Sequence, residues 1–80
     1  MYLKILCFGI AKEITGGAVF DFEMETGTNV GALKQKLLAH FPAFRALSSI
    51  AIAVNSAYAS DDLPIHEQDE IALIPPVSGG

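Results

Sequence analysis

Eighty residues make one domain's worth of chain, and 51% of them are hydrophobic against 18% charged, which excludes an intrinsically disordered segment. Nine acids against five bases leave a net charge of −4. That is the wrong sign for neutralising a phosphate backbone, so no nucleic-acid partner is expected.

Residues 2–8, YLKILCF, form an apolar run of strand character ending at Gly9. Cys7 lies inside it and reads as a small buried hydrophobe. As the single cysteine it excludes an internal disulfide and a four-cysteine zinc or iron–sulfur site. Lys12 to Gly17 reads as polar punctuation with Thr15-Gly16-Gly17 as its turn signal, making a long hairpin connection to the next strand. From Ala18 to Glu25 the chain alternates, Phe20, Phe22 and Met24 on one side and Asp21, Glu23 and Glu25 on the other, as a half-buried strand does.

Thr26-Gly27-Thr28-Asn29 breaks that strand and supplies a helix start with Asn29 as its N-cap. Val30, Leu33, Leu37, Leu38 and Phe41 then form one apolar stripe at helical spacing, opposite Lys34, Gln35 and Lys36. Pro42 ends the helix, and His40 falls in the last turn, where the helix dipole favours a cation. Phe44 to Leu47 reads as a short plug at one end of the core. Residues 50–54 form the next strand, with Ile50, Ile52 and Val54 on one face and alanines on the other. Asn55-Ser56 turns it into a brief strand over Ala57–Ala59. A polar loop over residues 60–68 leads through Asp69-Glu70 into the last strand, Ile71–Ile74. Two strands, a helix and three further strands give an α+β domain, and the order fits a β-grasp: one main helix on a mixed, mostly antiparallel sheet of four to five strands.

The catalytic inventory is thin. No serine has a histidine at a recognisable spacing, and Gly27-Thr28-Asn29-Val30-Gly31 is neither a phosphate-cradling loop nor a dinucleotide fingerprint. Asp61-Asp62 and Asp69-Glu70 read as solvated acids, so no metal is expected. No apolar run approaches the ~18 residues of a membrane helix, and the N-terminus lacks a leader pattern. No membrane association is expected, and a reducing cytoplasm is the expected setting.

The informative stretch is the end, Ile74-Pro75-Pro76-Val77-Ser78-Gly79-Gly80. The two prolines stop the last strand and stiffen the chain beyond it, dividing the protein into a domain over residues 1–75 and a flexible tail over 76–80. At about 3.3 Å per residue such a tail spans about 16 Å, enough to carry a carboxylate into a neighbouring protein. Glycines without Cβ atoms thread a narrow channel and leave the terminal carboxyl carbon open to attack. A carboxylate is inert until an oxygen becomes a leaving group. An ATP-dependent activator would form an acyl-adenylate, from which a sulfur nucleophile displaces AMP.

The run Asp69-Glu70-Ile71-Ala72-Leu73-Ile74-Pro75-Pro76-Val77-Ser78-Gly79-Gly80 closely resembles the end of the small subunit of molybdopterin synthase, the MoaD-type ubiquitin-like sulfur carriers of the MoaD/ThiS family. Phe8 to Gly16, Thr28-Asn29-Val30 through Leu37, and Ala53-Val54-Asn55 resemble that family in the same order. One departure is Gln68, where the family usually has glycine, which calls for a different turn. The resemblance implies a carrier whose Gly80 carboxylate, next to Gly79, is adenylated by an E1-like, MoeB-type enzyme using ATP. Sulfur from a donor protein then makes the thiocarboxylate. Within a MoaE-type large subunit, as a heterotetramer, the carrier donates sulfur to cyclic pyranopterin monophosphate in molybdenum cofactor biosynthesis. The small subunit is not catalytic alone and binds no permanent cofactor.

Strand alternation puts Ile71 and Leu73 toward the helix, and Ala72 and Ile74 on the opposite face beside the tail root. Tyr58 and Val77 would extend that apolar surface, with Lys12 as a rim charge. The expected partner-binding residues are therefore Lys12, Tyr58, Ile74, Pro75, Pro76, Val77 and Ser78. Two other readings stay open: a ThiS-type carrier for thiamine thiazole synthesis, and a β-grasp protein-binding module without covalent chemistry.

Overall fold

The computed structural model describes residues 1–47 and 50–75. Pro76, Val77, Ser78, Gly79 and Gly80 lie outside the described residues, and with them the expected tail and its partner contacts. The elements run β1 (Tyr2–Cys7), α1 (Ile10–Thr15), β2 (Val19–Glu23), α2 (Val30–His40), a short 3₁₀ helix (Pro42–Ala46), β3 (Ala51–Val54), β4 (Ala57–Tyr58) and β5 (Glu70–Ile74). The strands form one sheet in the order β2-β1-β5-β3-β4. β1 and β5 pair in parallel, and the other neighbours pair antiparallel. One main helix on a mixed sheet is the β-grasp architecture that the element order leads one to expect.

Register decides which side chains meet. Leu3 opposes Phe22 and Ile5 opposes Phe20 across β1 and β2, while Ile5 and Cys7 lie beside Ile71 and Leu73 of β5. Ile52 and Val54 of β3 continue the same face. Val30, Leu33 and Leu37 of α2 close over it, and Leu3, Ile5, Leu33, Leu37, Ile71 and Leu73 are wholly buried. The start of α2 is capped as expected, the Asn29 Oδ1 accepting from the Ala32 N–H at 2.9 Å. At its end, Phe44 of the 3₁₀ helix is buried and does plug the core. Phe22, Phe20, Phe41 and Phe44 form a chain of edge-to-face rings with centroids 5.5–5.9 Å apart. The exposed His40 packs against Phe22 and Phe41.

One expectation needs correction. The connection expected as polar punctuation contains α1, a six-residue helix. Glycines bound it on both sides: Gly16, at φ 90°, takes the left-handed C-cap conformation and donates its N–H to the Lys12 carbonyl at 3.0 Å. Ala11 is its buried residue, too little pattern for periodicity to betray a helix of under two turns. Cys7 is buried as expected, and the Thr15 Oγ1 lies 3.4 Å from its sulfur and 3.1 Å from the Ala11 carbonyl.

Candidate functional site: the outer face of the sheet

The face turned away from α2 is ordered by the same register. At its middle, Val19 opposes Leu6, Leu6 lies beside Ala72, Ala72 opposes Ala53, and Ala53 opposes Tyr58. One row thus crosses all five strands and is apolar throughout. Nearer the end of β5, Ile74 opposes Ala51. Toward the other end, Asp21, Lys4 and Glu70 form a charged row, and Glu23 faces Tyr2 beyond it. The face therefore grades from charged to apolar in the direction in which β5 leads to Pro75.

Exposure differs between the flanks and the middle of this face. Tyr58 is 75% exposed, Phe8 53% and Val19 48%, whereas Ala51, Ala72, Ile74 and Pro75 are half-buried. Small alanines occupy the middle of the face, Ala53 among them buried, and larger side chains flank them. Apolar surface of this continuity on a small protein marks a contact region.

Of the expected site residues, the outer face brings together Tyr58 and Ile74, two strands apart, with Pro75 at its margin. Pro75 also abuts the start of α1: a Cβ added to Gly9, at φ 55°, would lie 3.6 Å from the Pro75 Cγ. Lys12 is exposed on α1, where it lines a shallow groove with Gly9, Ile10, Glu13, Gly16 and Gly17. It lies in the connection between β1 and β2, whereas Tyr58 lies on the edge strand β4. Sequence reasoning missed Leu6, Phe8, Val19 and Ala53 as parts of this surface. Alternation within each strand carried the signal, but only the register joins the strands into a row.

The loop before β5 has its own polar structure. The Asp69 carboxylate accepts from the His66 N–H at 2.8 Å and from the Asn55 Nδ2 at 3.0 Å. These two hydrogen bonds, the His66 one foremost, hold Asp69 below the usual aspartate range. Gln68 needs no left-handed conformation: among the described non-glycine residues only Asn55 and Ser56 have positive φ. The Asp69–His66 pair makes the different turn that Gln68 calls for. Among the described residues no three His, Cys, Asp or Glu side chains converge on a metal-sized site, and no helix is long and apolar enough to cross a membrane.

A protein-family model described as the ThiS family matches residues 5–80. The molybdopterin synthase sulfur carrier subunit of Arabidopsis thaliana is 33% identical over 79 residues, covering 98% of this chain and 82% of that one. The protein of the same name from Dictyostelium discoideum is 38% identical, covering 96% of this chain and 94% of that one. Among solved structures, SAMP1 from Haloferax volcanii superposes with a TM-score of 0.81 at 25% identity, each chain covered over 100% of its length. A chain from the complex of subunits 1 and 2 of the molybdopterin-converting factor of Helicobacter pylori superposes at 0.68 with 26% identity, again over 100% of both. The fold also matches Caldiarchaeum subterraneum ubiquitin, with a TM-score of 0.66 at 22% identity over 100% of this chain and 98% of that one. With relatives matched along nearly their whole length and a family model spanning most of its residues, this chain belongs to the ThiS family, among relatives that are sulfur carrier subunits of molybdopterin synthase.

Proposed function

We propose that this protein is the sulfur-carrier subunit of a molybdopterin synthase. The observation that carries the reading is the path of β5. It runs between β1 and β3 in the middle of the sheet, emerges at the apolar end of the outer face, and continues through Pro75 toward Gly79 and Gly80. A partner seated on that face receives the residues beyond Pro75. The globule presents and the tail reacts.

The Gly80 carboxylate attacks the α-phosphate of ATP on an E1-like activating enzyme, releasing pyrophosphate and forming the acyl-adenylate. Sulfur at the sulfide level, supplied by a donor protein, displaces AMP to leave the thiocarboxylate. On the large subunit the sulfur passes to cyclic pyranopterin monophosphate, the acyl–sulfur bond is hydrolysed, and water supplies the oxygen that regenerates the carboxylate for the next cycle. The carrier holds no cofactor of its own in this scheme, and ATP belongs to the activator. The Helicobacter pylori relative, solved as a complex of subunit 1 with subunit 2, supports a large-subunit partner. In our reading that partner docks on Tyr58, Ile74 and Pro75, with Lys12 at the rim and Pro76, Val77 and Ser78 carried inward. Delivery to a thiazole synthase is the other reading that the family name favours; the relatives' shared name favours the first.

The test is titration of a MoaE-type large subunit with wild type, Tyr58→Asp and Ile74→Asp. Each substitution puts a charge on an apolar contact and is expected to weaken binding at least tenfold, about 1.4 kcal/mol, with unfolding temperature little changed for the exposed Tyr58. Affinity unchanged in both variants would refute the docking face.

A further inference from the structure

We propose that Asn55 and Asp69 are positioning residues for the docking face: their side-chain pair fixes the β3–β4 hairpin, and with it Tyr58, against β5. The inference rests on the docking role proposed above for Tyr58. The hairpin is weak on its own. β4 is a two-residue edge strand with both residues exposed. Its turn places Asn55 at φ 53° and Ser56 at φ 71°, the left-handed pair that a two-residue hairpin requires. Asparagine tolerates that conformation, but serine stands where glycine is usual.

A latch from outside the hairpin holds it. The Asn55 N–H donates to the Glu70 carbonyl at 2.8 Å, extending the β3–β5 ladder one residue past Val54 and Ile71. With its backbone turned left-handed, Asn55 answers with its side chain: Oδ1 accepts from the Glu70 N–H at 3.0 Å. Its Nδ2 donates to the Asp69 Oδ1 at 3.0 Å, and the Asp69 Oδ2 accepts from the His66 N–H at 2.8 Å. Every polar atom of the two side chains thus has a partner. The pair ties the turn before β4 to the loop before β5, so the strand bearing Tyr58 and the strand leading to the tail are set by one connection.

The geometry offers a reciprocal test. Asn55→Asp alone sets two carboxylates against each other, and Asp69→Asn alone leaves one amide donor facing another donor. The double swap restores complementarity, with the carboxylate at 55 accepting from Glu70 and from the amide at 69, whose oxygen accepts from His66. We expect Asn55→Asp to weaken large-subunit binding about tenfold, as loss of a charge-assisted hydrogen bond would, and the swap to recover most of it. Sulfur transfer at saturating large subunit should be unchanged in all three variants. Amide hydrogen exchange at Ala59, whose N–H donates to the Ile52 carbonyl at 2.9 Å, should quicken in each single variant and return in the swap. Binding by Asn55→Asp equal to wild type, or a swap no better than the single variants, would overturn the proposal. If wild type itself does not bind a large subunit, the docking reading fails and positioning is judged by exchange alone. Unchanged Ala59 exchange in the single variants then overturns it.

Discussion

Asp69 shows how much one half-buried side chain can organise when it accepts from a backbone N–H and a side-chain amide together. Its carboxylate stays ionised below the usual value of 3.8 because the His66 N–H and the Asn55 amide both bind the charged form. A carboxyl group with a depressed folded-state value stabilises the fold fully above the unfolded value, and that contribution is lost as pH falls through the folded one. The unfolding free energy of wild type relative to Asp69→Asn should therefore be constant near neutrality and shrink on acidification below the ordinary 3.8. Paired denaturant titrations across that range check it; a difference that does not change with pH would show that the charge is not what the loop uses. Nothing in the sequence betrayed this role. Asp69-Glu70 reads as two solvated acids, because the partner Asn55 is fourteen residues away and only the β3–β5 register brings it near.

At the scale of elements, legibility followed length and period. α2 was readable to its caps, since eleven residues carry a full apolar stripe and Asn29 announces the start. Asn29→Ala should lower stability by about 1 kcal/mol through loss of the bond to the Ala32 N–H, measured by urea unfolding. β2 was readable because Phe20, Phe22 and Met24 alternate with acids. α1 was not, because one buried alanine between two glycines looks like a loop. Its existence depends on Gly16 closing it in a left-handed conformation with open space around it. Gly16→Ala should thus cost about 1 kcal/mol from backbone strain alone, without a clash. Unchanged stability in that variant would mean that α1 ends some other way.

For the whole molecule, the arrangement gives the two faces of the sheet different tasks in packing. The inner face of the sheet and α2 bury the core, and the outer face grades from charge to apolar surface toward the emerging chain. That gradient was only partly legible. Ile74 and Tyr58 could be assigned from alternation, while Leu6, Phe8, Val19 and Ala53 needed strand order and register, which sequence periodicity does not encode. The core makes a firm prediction at this scale. Phe44→Ala removes a buried ring from the aromatic chain beyond α2 and should destabilise by about 3–5 kcal/mol, enough to erode most of a small domain's stability. Tyr58→Asp, on the outer face, should leave that stability nearly intact.

The central claim is that sulfur is carried on the main-chain carboxylate of Gly80. Intact and fragment mass spectrometry, after incubation with an E1-like adenylyltransferase, ATP and a sulfur donor, tests it most directly. Wild type should gain the mass of one oxygen exchanged for sulfur, located in the fragment ending at Gly80, and a chain extended by residues beyond Gly80 should gain nothing. Sulfur in the extended chain, or sulfur on the buried Cys7 instead of Gly80, would contradict that claim.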